Sequence, residues 1–315
     1  MAFNWPTFRT RALTAIIFVA VMLTGLFWNQ WSFLVLFSII HFGCWWEYFN
    51  LLEKINKVKY EIYVKMGFML LGYGFMLWFC GDVYRIAGYG VKQNVFLPVS
   101  VAGFIMLVTG IFMSNRIKLK SFAAAFLGIF YISLSWGLLI DLYSSTSTVD
   151  VHLHDTMYVM STTFLPVTII ASIWINDTMA YIVGSFIGKR PLSSISPKKT
   201  WEGTIGGVIL AVVVVSLLLP TIFLWGVKDV EILPLAFVLA PIALIAAITG
   251  TFGDLLESKL KRMAGVKDSG SIMPGHGGFL DRFDSLLIAV PFVWLLLVII
   301  KTYLTFSTPT YSIPQ

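Results

Sequence analysis

KDSGSIMPGHGGFLDRFDS, Lys267 to Ser285, runs directly into LLIAVPFVWLLLVII, Leu286 to Ile300. The first stretch holds a lysine, a histidine between glycines, an arginine and three aspartates; the second carries no charge. An uncharged apolar run that continues for about 20 residues is long enough to cross a bilayer as a helix. The polar stretch therefore sits at a membrane surface, and the rest of the chain repeats that pattern.

Hydrophobic residues make up 58% of the 315 and charged ones only 12%, with a mean hydropathy of +0.85. A soluble domain is about 45–50% apolar and about 25% charged. The excess lies in runs of membrane-spanning length, and lipid cannot satisfy open backbone, so the spans must be helices. The sequence predicts an all-α integral membrane protein, a polytopic bundle of about nine transmembrane helices. The spans are placed at about 12–28, 31–49, 64–81, 95–113, 122–142, 161–187, 203–226, 233–256 and 280–304. The sixth and seventh are long enough to be tilted or broken. Arg9 and Arg11 precede the first span as in a signal peptide, but no small-residue cleavage site follows, which favours a retained anchor.

With the N-terminus in the cytoplasm, every lysine and arginine except Arg85, Lys92, Lys228 and Lys301 falls on the inner side. The opposite orientation would invert that bias. The net charge of +6 then forms a cytoplasmic surface suited to anionic lipid or an anionic substrate. Nucleic acid is not expected as a partner, because the basic residues belong to short loops. Cys44 and Cys80 fall inside spans and read as apolar packers. His152 and His154, in the outer loop 143–160, read as solvated.

Two regions follow. Residues 1–160 form about five scaffold spans, whose acids, Glu47 among them, read as boundary residues at span ends. Residues 161–315 form about four spans in which polar groups gather at three cytoplasm-facing places. In the sixth span, Asn176 and Asp177 lie deep; an aspartate there costs about 2.5–3.5 kcal/mol on insertion scales and needs a partner or a wet cavity. In the loop after it, Ser196 begins a turn, Lys198 and Lys199 follow, and Thr200 is placed as an N-cap; such a helix start can hold a phosphate. In the third place, Asp254, Glu257 and Ser258 end the eighth span, and Asp281, Asp284 and Ser285 begin the ninth. Residues three or four apart share a helix face, so up to four carboxylates converge at the membrane surface. Lys261, Arg262, Lys267 and Arg282 can neutralise them pairwise, which would be a structural network. A hard divalent cation such as Mg²⁺, bound through carboxylates and substrate phosphates, does it better. The glycines of PGHGG let backbone approach a ligand, and His276 adds a donor or a proton-transfer group.

SKLKRMAGVKDSGSIMPGHGGFLDRFD, Ser258 to Asp284, resembles the hallmark motif of the phosphatidate cytidylyltransferase (CDP-diacylglycerol synthase) family: a serine, Lys-Arg, Lys-Asp, then HGG and D-R-x-D. NDTMAYIVGSFIGKR and SPKKTWEG are similar to the same family, and Met273 is the one visible departure, an apolar swap of similar size. The resemblance covers about 171–285. It implies a nine-helix fold with a C-terminal catalytic region, compatible with a homodimer, in the bacterial inner membrane. It implies that CTP and phosphatidate from the inner leaflet give CDP-diacylglycerol and pyrophosphate, with Mg²⁺ and a second cation such as K⁺. Carried over to this chain, Asp254 and Asp281 bind Mg²⁺, and Asp284 is a supporting or second-cation ligand. Lys261, Arg262, Lys267 and Arg282 cover the phosphates. Ser196, Lys198, Lys199, Thr200, Ser258, Gly277 and Gly278 position substrate, Asp177 belongs to the polar cavity, and His276 is loop anchor, phosphate donor or acid. From the residues alone, another Mg²⁺-dependent membrane phosphotransferase, a lipid kinase or a polyprenyl-phosphate transferase, shares such a site. An ion-coupled transporter fits less well, because its acids would run from one face to the other.

Overall fold

The computed structural model describes residues 5–113, 118–145, 151–153, 156–158, 163–223, 232–271 and 277–307. Among the described residues, nine long helices lie where the nine apolar runs place them. They are α1 (Trp5–Phe27), α2 (Gln30–Asn56), α3 (Ile62–Trp78), α4 (Phe96–Met113), α5 (Leu119–Ser144), α6 (Phe164–Ile187), α7 (Trp201–Thr221), α8 (Ile232–Met263) and α9 (Leu280–Ser307). Seven of them, α2 and α4 to α9, are long and apolar enough to cross a membrane; the apolar parts of α1 (Leu13–Phe27) and of α3 are shorter. Among the described residues, sheet is confined to two hairpins, Arg85–Ile86 with Tyr89–Gly90 and Val151–Leu153 with Thr156–Tyr158. The protein is thus an all-α, multi-pass membrane protein.

Local sequence sets the helix ends. Asn29 Oδ1 accepts the Ser32 amide at 2.8 Å while Ser32 Oγ accepts the Asn29 amide at 3.0 Å, a reciprocal cap that starts α2. Lys57, in the left-handed region at φ 53°, ends it. Thr200 caps α7 as expected, its Oγ1 accepting from the Gly203 amide at 3.1 Å. The seventh span is interrupted, as its length suggested, by a π-helical stretch at Val214–Leu218, whereas α6 runs unbroken. A second π-helical stretch in α5, Ile129–Leu134, carries Ser133, whose Oγ meets Trp45 Nε1 and His41 Nε2, each at 2.9 Å.

Helices in lipid gain little from burying apolar surface against one another, so close packing through small residues matters more. A Cβ on Gly67 of α3 would lie 2.6 Å from the Leu107 backbone of α4, and one on Gly207 of α7 would lie 2.8 Å from Asn176 O of α6. The crossing of α8 and α9 is close in the same way: a Cβ on Gly253 would lie 2.5 Å from Asp284 O. That contact brings the acidic end of α8 against the acidic start of α9. The two expected regions are also tied to each other, because Ser135 Oγ of α5 donates to Leu287 O at 2.5 Å and Trp294 Nε1 of α9 donates to Asp141 Oδ2 at 2.7 Å. Cys44 and Cys80 are buried free thiols.

Candidate active site

The last turns of α8 extend beyond its apolar run and carry Asp254, Glu257, Ser258, Lys261 and Arg262 on continuous helix. Lys261 stands one turn from Glu257 and pairs with it; its Nζ is also 2.7 Å from Asp281 Oδ1 on α9. Glu257 has no exposed side-chain surface, and Lys261 and Asp281 are only 15% and 10% exposed. One ammonium thus serves two carboxylates at the joint between the helices.

Asp281 has further partners. Its Oδ2 accepts from the Ser269 amide at 2.8 Å, from Ser269 Oγ at 2.8 Å and from the Gly278 amide at 2.8 Å. With Lys261 that makes four donors on one carboxylate, about its full acceptor capacity. The glycines beside it have specific reasons. Gly277 adopts φ +85°, a left-handed conformation that L side chains rarely take. At Gly278 a Cβ would fall 2.2 Å from the carboxylate oxygens of Glu47. These glycines bring backbone close to the protein's own carboxylates.

Asp254 lies on the other side of the same joint and meets a different cation, Lys199 Nζ at 2.7 Å from its Oδ2. Lys199 comes from the loop between α6 and α7. That loop is closed by backbone bonds, Leu192 N to Lys199 O at 2.7 Å and Trp201 N to Arg190 O at 2.9 Å, and by Glu202 Oε2, which accepts the Lys189 and Arg190 amides. Asp284 is buried beside the Gly253 crossing, within electrostatic reach of Asp254 and Asp177. On α6, Asn176 donates to Thr251 Oγ1 of α8 at 3.3 Å, while the neighbouring Asp177 is exposed, as is Tyr181.

The four carboxylates expected from helix spacing do converge, but they divide. Asp281 and Glu257 share Lys261, and Asp254 faces Lys199; Asp254 and Asp281 therefore have separate cationic partners rather than a common one. The reason is local: Lys261 is one turn from Glu257, and the α6–α7 loop delivers Lys199 to Asp254. Lys198, Arg262, Lys267 and Arg282 are exposed around the cluster, with Ser196 and Ser258 half-buried near them. His276 lies outside the described residues, as does His154.

Glu47 departs most from its reading as a boundary residue. It is 2% exposed, and its carboxylate accepts from the Phe279 amide at 2.9 Å, the Leu280 amide at 2.8 Å and Ser269 Oγ at 2.7 Å. Beside this group opens a cavity of about 730 Å³, lined by Glu53, Lys54, Lys57, Lys59, Asp268 and Ser269 among others. Its lysines looked in the sequence like ordinary topology signals.

Among the described residues, no three of His, Cys, Asp and Glu come together closely enough to hold a metal. A Mg²⁺ ion asks less of a protein, since it commonly takes one or two carboxylates and completes its shell with water and phosphate. Asp254 and Asp284 offer that chemistry: hard oxygen donors on neighbouring helices. Asp254 Oδ2 is buried and, despite facing Lys199, makes no directed hydrogen bond.

The sequence model of the cytidylyltransferase family matches residues 9–300. The phosphatidate cytidylyltransferase of Bacillus subtilis (strain 168) is 49% identical over 129 residues, a match spanning 40% of this chain and 45% of that relative. That of Staphylococcus haemolyticus (strain JCSC1435) is 37% identical over 209 residues, 65% of this chain and 71% of the relative. A third, from Staphylococcus saprophyticus, is 36% identical over 213 residues, 67% and 73%. The acidic joint lies within the span matched to the family, and the chain belongs to the cytidylyltransferase family.

Proposed function

We propose that this chain is a phosphatidate cytidylyltransferase working at the cytoplasmic ends of α8 and α9. As a member of its family it is a CTP-dependent nucleotidyltransferase. A phosphate oxygen of phosphatidate attacks the α-phosphorus of CTP. The bond from that phosphorus to the bridging oxygen of the β-phosphate breaks, and pyrophosphate leaves. Both reactants are anions, so the protein's work is neutralising charge and aligning the attack in line. The observation that carries this reading is the joint where Glu257 and Asp281 share Lys261, with the Asp254–Lys199 pair beside it.

Asp254 and Asp284 would hold Mg²⁺, which when bound supplies positive charge to the phosphate oxygens. Asp281, already engaged by four donors, fixes the loop and keeps Lys261 in place. Arg262, Lys267 and Arg282, exposed at the rim, meet the phosphates of the two substrates, with Lys198, Ser196, Ser258 and Thr200 at the second edge. The basic cavity beside Ser269 is of a size for a nucleotide, and Lys54, Lys57 and Lys59 suit its polyphosphate. His276 remains a candidate acid for the leaving group, and a second cation such as K⁺ and a homodimer remain part of the proposal. The lysine and arginine bias supports a cytoplasmic N-terminus in the inner membrane.

Purified protein supplied with CTP labelled at the α-phosphate should place label in lipid only when phosphatidate is present. Label arriving from the γ-phosphate would indicate a lipid kinase, and no labelled lipid at all would defeat the reading.

A further inference from the structure

We propose that Glu47 is a positioning residue for the transfer reaction, the carboxylate by which the N-terminal half aims the first turn of α9. The inference rests on the cytidylyl transfer proposed above. Glu47 projects from the middle of α2 and meets partners more than two hundred residues away in sequence, the Phe279 and Leu280 amides and Ser269 Oγ. The first amides of a helix have no partner within it, and a negative group there is favoured by the helix dipole. Burying a carboxylate is costly, however, and a local Ser or Asn cap serves the second or third amide of a helix rather than these two.

Two observations point past simple capping. The Ser269 hydroxyl touches Glu47 Oε2 at 2.7 Å and Asp281 Oδ2 at 2.8 Å, yet it has one proton and donates to one carboxylate at a time. Glu47 therefore competes with Asp281 for that proton, and its presence sets how many donors Asp281 retains. The space around it is also closed: a Cβ on Gly270 would lie 2.1 Å from Glu47 Oε1, and one on Gly278 2.2 Å from both oxygens. The loop is shaped around this side chain. Phe279 and Leu280 immediately precede Asp281 and Arg282, so the hold on their amides fixes the bearing of both side chains, and of Asp284 one turn on.

The test is Glu47→Gln, which keeps volume and one acceptor but turns an amide group toward the loop's donors. Expected are a kcat lower by about 30-fold and KM values for CTP and phosphatidate within about three-fold of wild type, since the substrates are contacted elsewhere. Hydrogen exchange at the Phe279 and Leu280 amides should quicken by about tenfold or more while the remainder of α9 stays protected. Ser269→Ala, which removes only the shared hydroxyl, should lower kcat by about tenfold, and by less in the Glu47→Gln background because the two act as a unit. It serves as the readout if Glu47→Gln does not fold. Wild-type kcat in both variants, unchanged amide exchange, or a loss of rate matched by an equal loss of folded protein would overturn the role. A wild-type enzyme that fails to label lipid would instead defeat the reaction, and the exchange measurement would still report on Glu47.

Discussion

Lys199 Nζ lies 2.7 Å from Asp254 Oδ2, joining the loop before α7 to the C-terminal end of α8. The side chains are 30% and 27% exposed, although the contacting Asp254 Oδ2 itself is buried. Replacing the ammonium with a neutral side chain leaves the carboxylate more available to another cation and removes a positive group from the phosphates. Lys199→Met is expected to lower the Mg²⁺ concentration for half-maximal rate by about three-fold and to reduce kcat by about tenfold or more. Rates measured across a Mg²⁺ titration check this; a rise in the Mg²⁺ requirement would contradict it.

Asp281 is held by Lys261, the Ser269 amide and hydroxyl, and the Gly278 amide. Asn at this position has one acceptor oxygen and turns an NH₂ group toward donors. Asp281→Asn should still insert and fold, with some loss of stability because Lys261 loses a charged partner, and should reduce turnover by far more than tenfold, a loss above ~1.4 kcal/mol in the barrier. Turnover at saturating Mg²⁺ decides it, and a variant retaining a tenth of the wild-type rate would remove Asp281 from the site.

Glu257 has no exposed surface and faces the single ammonium of Lys261. Removing one member of a buried pair strands the other. Lys261→Met should therefore destabilise the protein by about 3 kcal/mol, and adding Glu257→Gln should recover much of that loss. Thermal unfolding in detergent of the two single variants and the double variant measures the coupling.

Gly253 touches the backbone of Asp284 and Ser285 so closely that a methyl group would sit 2.5 Å from Asp284 O. Backbone cannot step aside as a flexible side chain can. Gly253→Ala is expected to cost about 1–3 kcal/mol by overpacking and to lower activity by prising α8 from α9. Equal stability and activity in this variant would show that the crossing tolerates separation.

Lys54, Lys57 and Lys59 line the cavity next to Ser269. If the polyphosphate of CTP enters there, Ala at all three should raise KM for CTP by about tenfold with little change in KM for phosphatidate. Initial rates with each substrate varied in turn separate the two.

The nine helices among the described residues were legible because each is written as a largely apolar run, and Thr200 was legible as a cap because its hydroxyl acts three residues away. The acidic joint was legible to the same degree: helix spacing places Asp254 and Glu257, or Asp281 and Asp284, on one face. Which lysine serves which carboxylate was not, since Lys199 and Asp254 are brought together only by the packing of α6, α7 and α8. Glu47 was hidden for the same reason. In GCWWEYFN it looks like a residue at a span's edge, and its partners lie more than two hundred positions downstream. The π-helical stretches in α5 and α7 left no mark in the apolar pattern either, because every residue there remains apolar or small.

Because Glu47 belongs to one half of the chain and the amides it receives to the other, the enzyme cannot be abridged to its motif-bearing part. A gene cut between the codons for α5 and α6 should yield a C-terminal fragment that is inert by itself. Co-expressed with its missing complement it should regain turnover, and about 30-fold less of it when that complement carries Glu47→Gln.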